Sequence, residues 1–164
     1  MPNNQHYSLR TSYRLIRRHR GFTLLELMIT IAIIGIIASI ATLSYNGYID
    51  TTNNATAKSH IRMLSLIIKD YANENGTYPD NLNNVGNDNF LDPWGHPYQY
   101  LNLSSQNAVG MARKDHNLVP LNTHFDLYSK GKDGQSFPPI NIPVSKDDII
   151  FANDGEYIGI AKDY

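Results

Sequence analysis

A single carboxylate, Glu26, interrupts the uncharged stretch between Arg20 and Asp50, and the run from Leu27 to Ile49 carries no charge at all. An ionised side chain at membrane depth costs about 2.5 to 3.5 kcal/mol on insertion scales, so a residue kept there calls for a cationic partner. Three other carboxylates suggest different chemistry. Asp133, in Gly131-Lys132-Asp133-Gly134, and the adjacent Asp147 and Asp148 bracket a stretch containing Pro138, Pro139 and Pro143. A hard cation such as calcium takes six to eight oxygen ligands at about 2.3 to 2.6 Å, and a loop folded back between Asp133 and the Asp147 pair could supply them. The same residue types also make ordinary solvated turns.

The element that positions Glu26 is a helix of membrane length. The 23 residues from Leu27 to Ile49, at about 1.5 Å per residue, give roughly 34 Å, enough to cross a hydrocarbon core of about 30 Å. Arg10, Arg14, Arg17, Arg18 and Arg20 precede the run and Asp50 follows it, so the positive-inside rule leaves the N-terminus cytoplasmic and exports the rest. An ordinary signal peptide has an apolar core of about 7 to 15 residues and is cut after it. Here the small residue at the charge boundary, Gly21, precedes the apolar run, so a cut there keeps the helix and discards the arginines.

Beyond the run, Ala57, Ile61, Leu64, Ile68 and Tyr71 or Ala72 recur at spacings of three and four, the mark of one apolar helix face. Gly76 is a suitable helix stop and Pro79 follows it. One helix is therefore expected from about Thr23 to Asn75. Asp92-Pro93-Trp94-Gly95 has turn chemistry, with Trp94 expected to anchor the turn on the core. Tyr98 to Leu103, about Phe125 to Ser129, Asp148 to Ala152 and Tyr157 to Ala161 read as strands, and Asn153-Asp154-Gly155 joins the last two. Ala108 to Ala112 is open between strand and loop. Residues 81 to 91 and 133 to 146 read as surface loops. The resulting fold class is α+β, a long N-terminal helix packed on a small antiparallel sheet.

Composition narrows the function. Residues 22 to 164 hold nine Lys or Arg against fifteen Asp or Glu, a formal charge of −6. An acidic domain behind a basic leader argues against nucleic acid as a partner, because phosphate binding needs concentrated Lys and Arg. The chain has no cysteine, which excludes a disulfide framework and a thiolate site. His6, His19, His60, His96, His116 and His124 are scattered, and no His-x-x-x-His, serine elbow or phosphate loop accompanies them. A catalytic constellation is not expected, and the chain is read as no enzyme.

Gly21-Phe22-Thr23-Leu24-Leu25-Glu26 resembles the class III signal of type IV pilins and type II secretion pseudopilins. The resemblance implies that a prepilin peptidase cuts between Gly21 and Phe22 and that the new Phe22 amine is methylated. Glu26 of one subunit then faces the Phe22 ammonium of its neighbour in a helical filament. Tyr71-Ala72-Asn73-Glu74-Asn75-Gly76-Thr77-Tyr78-Pro79 and Asp92-Pro93-Trp94-Gly95-His96-Pro97-Tyr98-Gln99-Tyr100 look like stretches of the major pseudopilin, and together the matches cover about residues 20 to 149. The implied divisions are a leader, 1–21, a membrane and filament-core helix, 22–49, its amphipathic continuation, 50–75, and a β-rich periplasmic part, 76–164.

The same resemblance implies a structural calcium ion held by Asp133, Asp147 or Asp148, and the backbone carbonyl of Lys130. The loop here is longer and richer in proline than the family's. Leu43 stands where the family has a kinking proline, and Phe151 to Tyr164 extends past the usual ending, with room for a further strand pair. Implied partners are the prepilin peptidase, other copies of the chain and other pseudopilins, an inner-membrane platform protein and a secretion ATPase. The implied product is an inner-membrane protein assembled into a periplasmic pseudopilus that pushes folded exoproteins toward an outer-membrane secretin. A minor type IV pilin or competence pseudopilin is the nearest alternative, and a signal-anchored periplasmic enzyme the distant one.

Overall fold

A computed structural model describes residues 21–87, 89–105, 108, 110–116 and 118–164, with the backbone alone at 42–44. Helix α1 runs over Leu24–Asn75 and ends where Gly76 turns left-handed at φ 75°. The Gly76 N–H still donates to the Ala72 carbonyl at 2.9 Å, and a residue without Cβ adopts that conformation at no steric cost. The helix is assigned without a break through Leu43. The chain divides into two compact units after Leu43.

In the first unit, the apolar side chains of α1 face outward: Leu24 is 76% exposed and Ile36 62%. The helix is long and apolar enough to cross a membrane, and an exposed apolar surface of this kind marks a membrane or protein contact.

In the second unit, α1 turns one stripe inward. Ala57, Ile61, Leu64 and Ile68 are fully buried, the face expected from their spacing. They pack on Phe125, Leu127, Ile149 and Phe151 from a four-stranded antiparallel sheet in the order β1 (Gln99–Asn102), β2 (Phe125–Ser129), β3 (Ile149–Ala152) and β4 (Tyr157–Ile160). Register is set by pairs such as Leu101 with Asp126, Ser129 with Ile149 and Phe151 with Ile158.

Alternation along β3 explains its complete burial. Ile149 and Phe151 join the helix-side core, whereas Ile150 and Ala152 meet Leu121, Ile140 and Ala161 on the opposite face. That second layer comes from the long connections 103–124 and 130–148 and from the tail. The two connections are zipped together, with Lys114 N–H donating to Pro138 O and Ile140 N–H to Lys114 O, both at 3.0 Å. The extended tail does add a strand, β4, as its length allowed. Ala108, Gly110, Met111 and Ala112 lie in turns and not in a strand, and Ala108 and Ala112 make a small apolar cluster with Leu103.

Candidate functional site

The first site lies at the start of α1. Thr23 precedes the first helical residue, and its side chain and backbone close a reciprocal box with Glu26. The Thr23 N–H and hydroxyl both donate to Glu26 Oε2 at 3.0 Å, and the Glu26 N–H donates to Thr23 Oγ1 at 3.2 Å. Two backbone donors that a helix start leaves without partners are thereby satisfied. Gly21 and Phe22 adjoin the box, Phe22 being 84% exposed, and with Thr23 and Glu26 they surround one shallow depression. Gly21 and Phe22 are both exposed. Thr23 was not singled out from sequence, although Thr-x-x-Glu ahead of an apolar run is itself a capping signal. Arg10, Arg14, Arg17, Arg18, Arg20, His6 and His19 lie outside the described residues.

The second site is the acidic loop of the other unit. Asp92 anchors the turn that faces it: its carboxylate accepts from Trp94 N–H at 3.0 Å, His96 N–H at 2.8 Å and the Ser129 hydroxyl at 2.5 Å. Trp94 packs, half-buried, on the helix-side core, as expected of an anchor. His96 Nδ1 is 3.2 Å from the Gly131 carbonyl. Gly131 (φ 63°) and Gly134 (φ 70°) are both left-handed. A Cβ on Gly131 would come within 2.6 Å of Asp147 Oδ2, and one on Gly134 within 2.6 Å of His96 Nε2. Lys132 reaches Asp50 on α1 at 2.9 Å.

Of the expected calcium ligands, Asp148 stands apart from Asp133 and Asp147. Lys130 follows β2 directly and is half-buried, Asp133 is exposed and Asp147 half-buried. Asp147 Oδ2 accepts from the Asp133 N–H at 3.2 Å, and Asp133 Oδ1 from the Gln135 N–H at 2.8 Å, bonds that shape the turn. Asp148 is turned away from both, fully buried against Arg113. Among the described residues, no three carboxylate or imidazole groups converge. Asp148 is thus paired with a guanidinium, while Asp133 and Asp147 hold backbone N–H groups.

Arg113 is the residue that sequence reading missed. It is 3% exposed. Its Nη2 donates to Asp148 Oδ2, its Nη1 donates to Ser136 Oγ and to Phe137 O, both at 2.6 Å, and its guanidinium carbon sits 4.2 Å from the centre of the Tyr128 ring. Its backbone N–H donates to Asp126 Oδ2 at 2.6 Å. Asp126, Tyr128 and Asp148 have the parity of Ile150, which places them on the sheet face away from the helix. Burial pushes the Asp148 carboxyl up to about 6 against the attraction of Arg113, and it pushes Asp126 up despite bonds from Arg113 and Asn122. Arg113 Nε and Asp148 Oδ1 are buried without a hydrogen-bond partner, so the pair meets through one nitrogen and one oxygen. Asp126, a carboxylate inside the otherwise uncharged β2, marks the buried polar face, whereas Arg113 lies outside any strand.

The described histidines are dispersed. His60 Nδ1 is 3.0 Å from the Tyr98 hydroxyl, His124 stacks on Tyr78 and His116 contacts its neighbour Asp115.

Residues 16–42 match the prokaryotic N-terminal methylation motif. The chain is 28% identical over 140 residues to type II secretion system core protein G of Pseudomonas aeruginosa, which covers 73% of this chain and 87% of that protein. It is 29% identical over 143 residues to core protein G of Escherichia coli K12, with 74% and 88% covered. A shorter match, 37% over 83 residues, is to the type IV major pilin protein PilA of Myxococcus xanthus, covering 51% of this chain and 36% of that pilin. No solved structure matches the chain.

Proposed function

We infer that this chain is a pseudopilin of the type II secretion kind, a structural subunit of a pseudopilus. The observation that carries this reading is the box-held Glu26 five residues after Gly21, at the head of an exposed apolar helix. Similarity to core protein G over about three quarters of the chain supports it.

In this proposal a prepilin peptidase cuts the Gly21–Phe22 bond and the Phe22 amine is methylated. The leader's arginines hold the N-terminus on the cytoplasmic side, and the unit that begins near Ser44 is exported to the periplasm. Subunits then dock through their apolar helices. Glu26 of the incoming copy meets the Phe22 ammonium of its neighbour, so neither charge stays unpaired in lipid. Removing one partner of a buried pair typically costs about 3 to 5 kcal/mol, enough to reject a misplaced subunit. A platform protein and an ATPase supply the work, and this chain contributes shape and cohesion with no catalytic part.

Processing and assembly are separable in one experiment. The wild-type chain and a Glu26→Ala variant are expressed in a strain lacking the gene. Mass spectrometry of the N-terminus should show both beginning at Phe22, while sheared filaments and secretion should be lost only in the variant. Full secretion by Glu26→Ala would overturn the assembly role. The match to a major pilin favours a pilus as the second reading, and surface pili or twitching lost on deletion, with secretion intact, would establish it.

A further inference from the structure

We propose that Arg113 is the resident cation of the 130–148 connection, so that this subunit closes its C-terminal part with a guanidinium in place of a calcium ion. The oxygens that converge on Arg113 are of the kinds a hard cation collects: the Ser136 hydroxyl, the Phe137 carbonyl and the Asp148 carboxylate. Each lies in or at the end of the connection that brackets the prolines. A fixed positive charge already occupies their common centre, and it would repel a divalent ion at Asp148. Asp133 and Asp147, the remaining acids of the expected set, serve backbone N–H groups of their own turn.

The guanidinium also has support that fixes it from behind. The Arg113 N–H is held by Asp126, its carbonyl accepts from Leu121 N–H at 3.0 Å, and its plane rests on Tyr128. Arg113 thus ties the 103–124 connection, strand β2, the proline-rich connection and the residue before β3 at one buried point. Planar, permanently charged and carrying five donors, arginine can bind several acceptors at fixed angles, which lysine cannot. This inference does not rest on the filament reading, since it concerns how the second unit stays closed.

The test uses the full chain purified in detergent, followed by thermal unfolding and hydrogen exchange in millimolar calcium and in chelator. The wild-type protein should melt at the same temperature in both, with residues 130–148 equally protected. Arg113→Met should lower the midpoint by on the order of 10 °C and open 130–148 to exchange, while amides of Ala57 to Ile68 stay protected. Arg113→Met combined with Asp148→Leu should lose less than the sum of Arg113→Met and Asp148→Leu alone, because the double variant leaves no unpaired charge. A chelator-dependent drop in the wild-type midpoint, or exposure of 130–148 on removing calcium, would overturn the proposal. That arm decides the question even where Arg113→Met fails to fold. Protection of 130–148 unchanged in a folded Arg113→Met protein would overturn it as well.

Discussion

Thr23 holds Glu26 by two donors on one oxygen, its own N–H and its hydroxyl both reaching Oε2 at 3.0 Å. A cut at the Gly21–Phe22 bond would leave the Thr23 amide intact, so the box would survive the proposed processing. The glutamate is therefore oriented by its own helix before any neighbour arrives.

Thr23→Ala should weaken assembly without blocking cleavage. Losing an N-cap hydroxyl costs about 1 kcal/mol of helix stability, and Glu26 loses one of its two donors. Filament yield should fall several-fold, Thr23→Ser should restore it, and the N-terminal mass should remain that of a chain beginning at Phe22. Wild-type yield from Thr23→Ala would show that Glu26 needs no such support.

Gly131→Ala should destabilise the second unit by about 1 to 3 kcal/mol, because an L-residue is strained at positive φ and its Cβ would press on Asp147. Gly110 has open space around it, and Gly110→Ala should stay within about 0.5 kcal/mol of wild type. Denaturant titrations of the two variants give the comparison directly.

Leu64→Ala should cost about 2 to 5 kcal/mol, since Leu64 is fully buried between the helix and the sheet and its loss leaves a cavity. Leu66→Ala, on the exposed face of the same turn, should cost little. Equal losses from the two would contradict the orientation of α1 described above.

Stability should depend on pH in two opposite senses. The Asp148 carboxyl is raised to about 6, so the stability it contributes is complete below the ordinary aspartate value of about 3.9 and declines as pH rises toward 6. Burial also raises Asp154, but the Thr123 hydroxyl and N–H, His124 and Lys69 outweigh it and hold it below the ordinary value. Its contribution is present above about pH 3.9 and is lost on further acidification. Unfolding free energies measured between pH 3 and 7 should show Asp148→Asn flattening the upper part of the profile and Asp154→Asn flattening the acid limb. An unaltered profile in either variant would rule out that residue's share.

Much of the architecture was legible from spacing. The buried stripe Ala57, Ile61, Leu64 and Ile68 follows from helical periodicity, and Gly76 marks the helix end because only a left-handed residue suits it. The four strands fall within a residue or so of their expected limits, since each alternates or runs apolar between turn residues. Arg113 was not legible, because its significance depends on Ser136, Phe137 and Asp148, partners 23 to 35 positions away that no local pattern links to it. Asp147 and Asp148 are adjacent in sequence, yet strand parity sends them to different surroundings. Thr23 was legible in principle, but the charge of Glu26 drew attention to a distant cation and away from the neighbour three residues before it.

The tail's position also orders events in time. Ala161 N–H donates to Asp148 O at 2.8 Å and Lys162 N–H to Lys146 O at 3.1 Å, so the last residues of the chain cover the segment that delivers Asp148 to Arg113. A chain emerging from its N-terminus has the helix and the first three strands available while that seam is still open. Closure of the seam uses Ala161 and Lys162, so a chain truncated before Ala161 would lack both bonds that cover it.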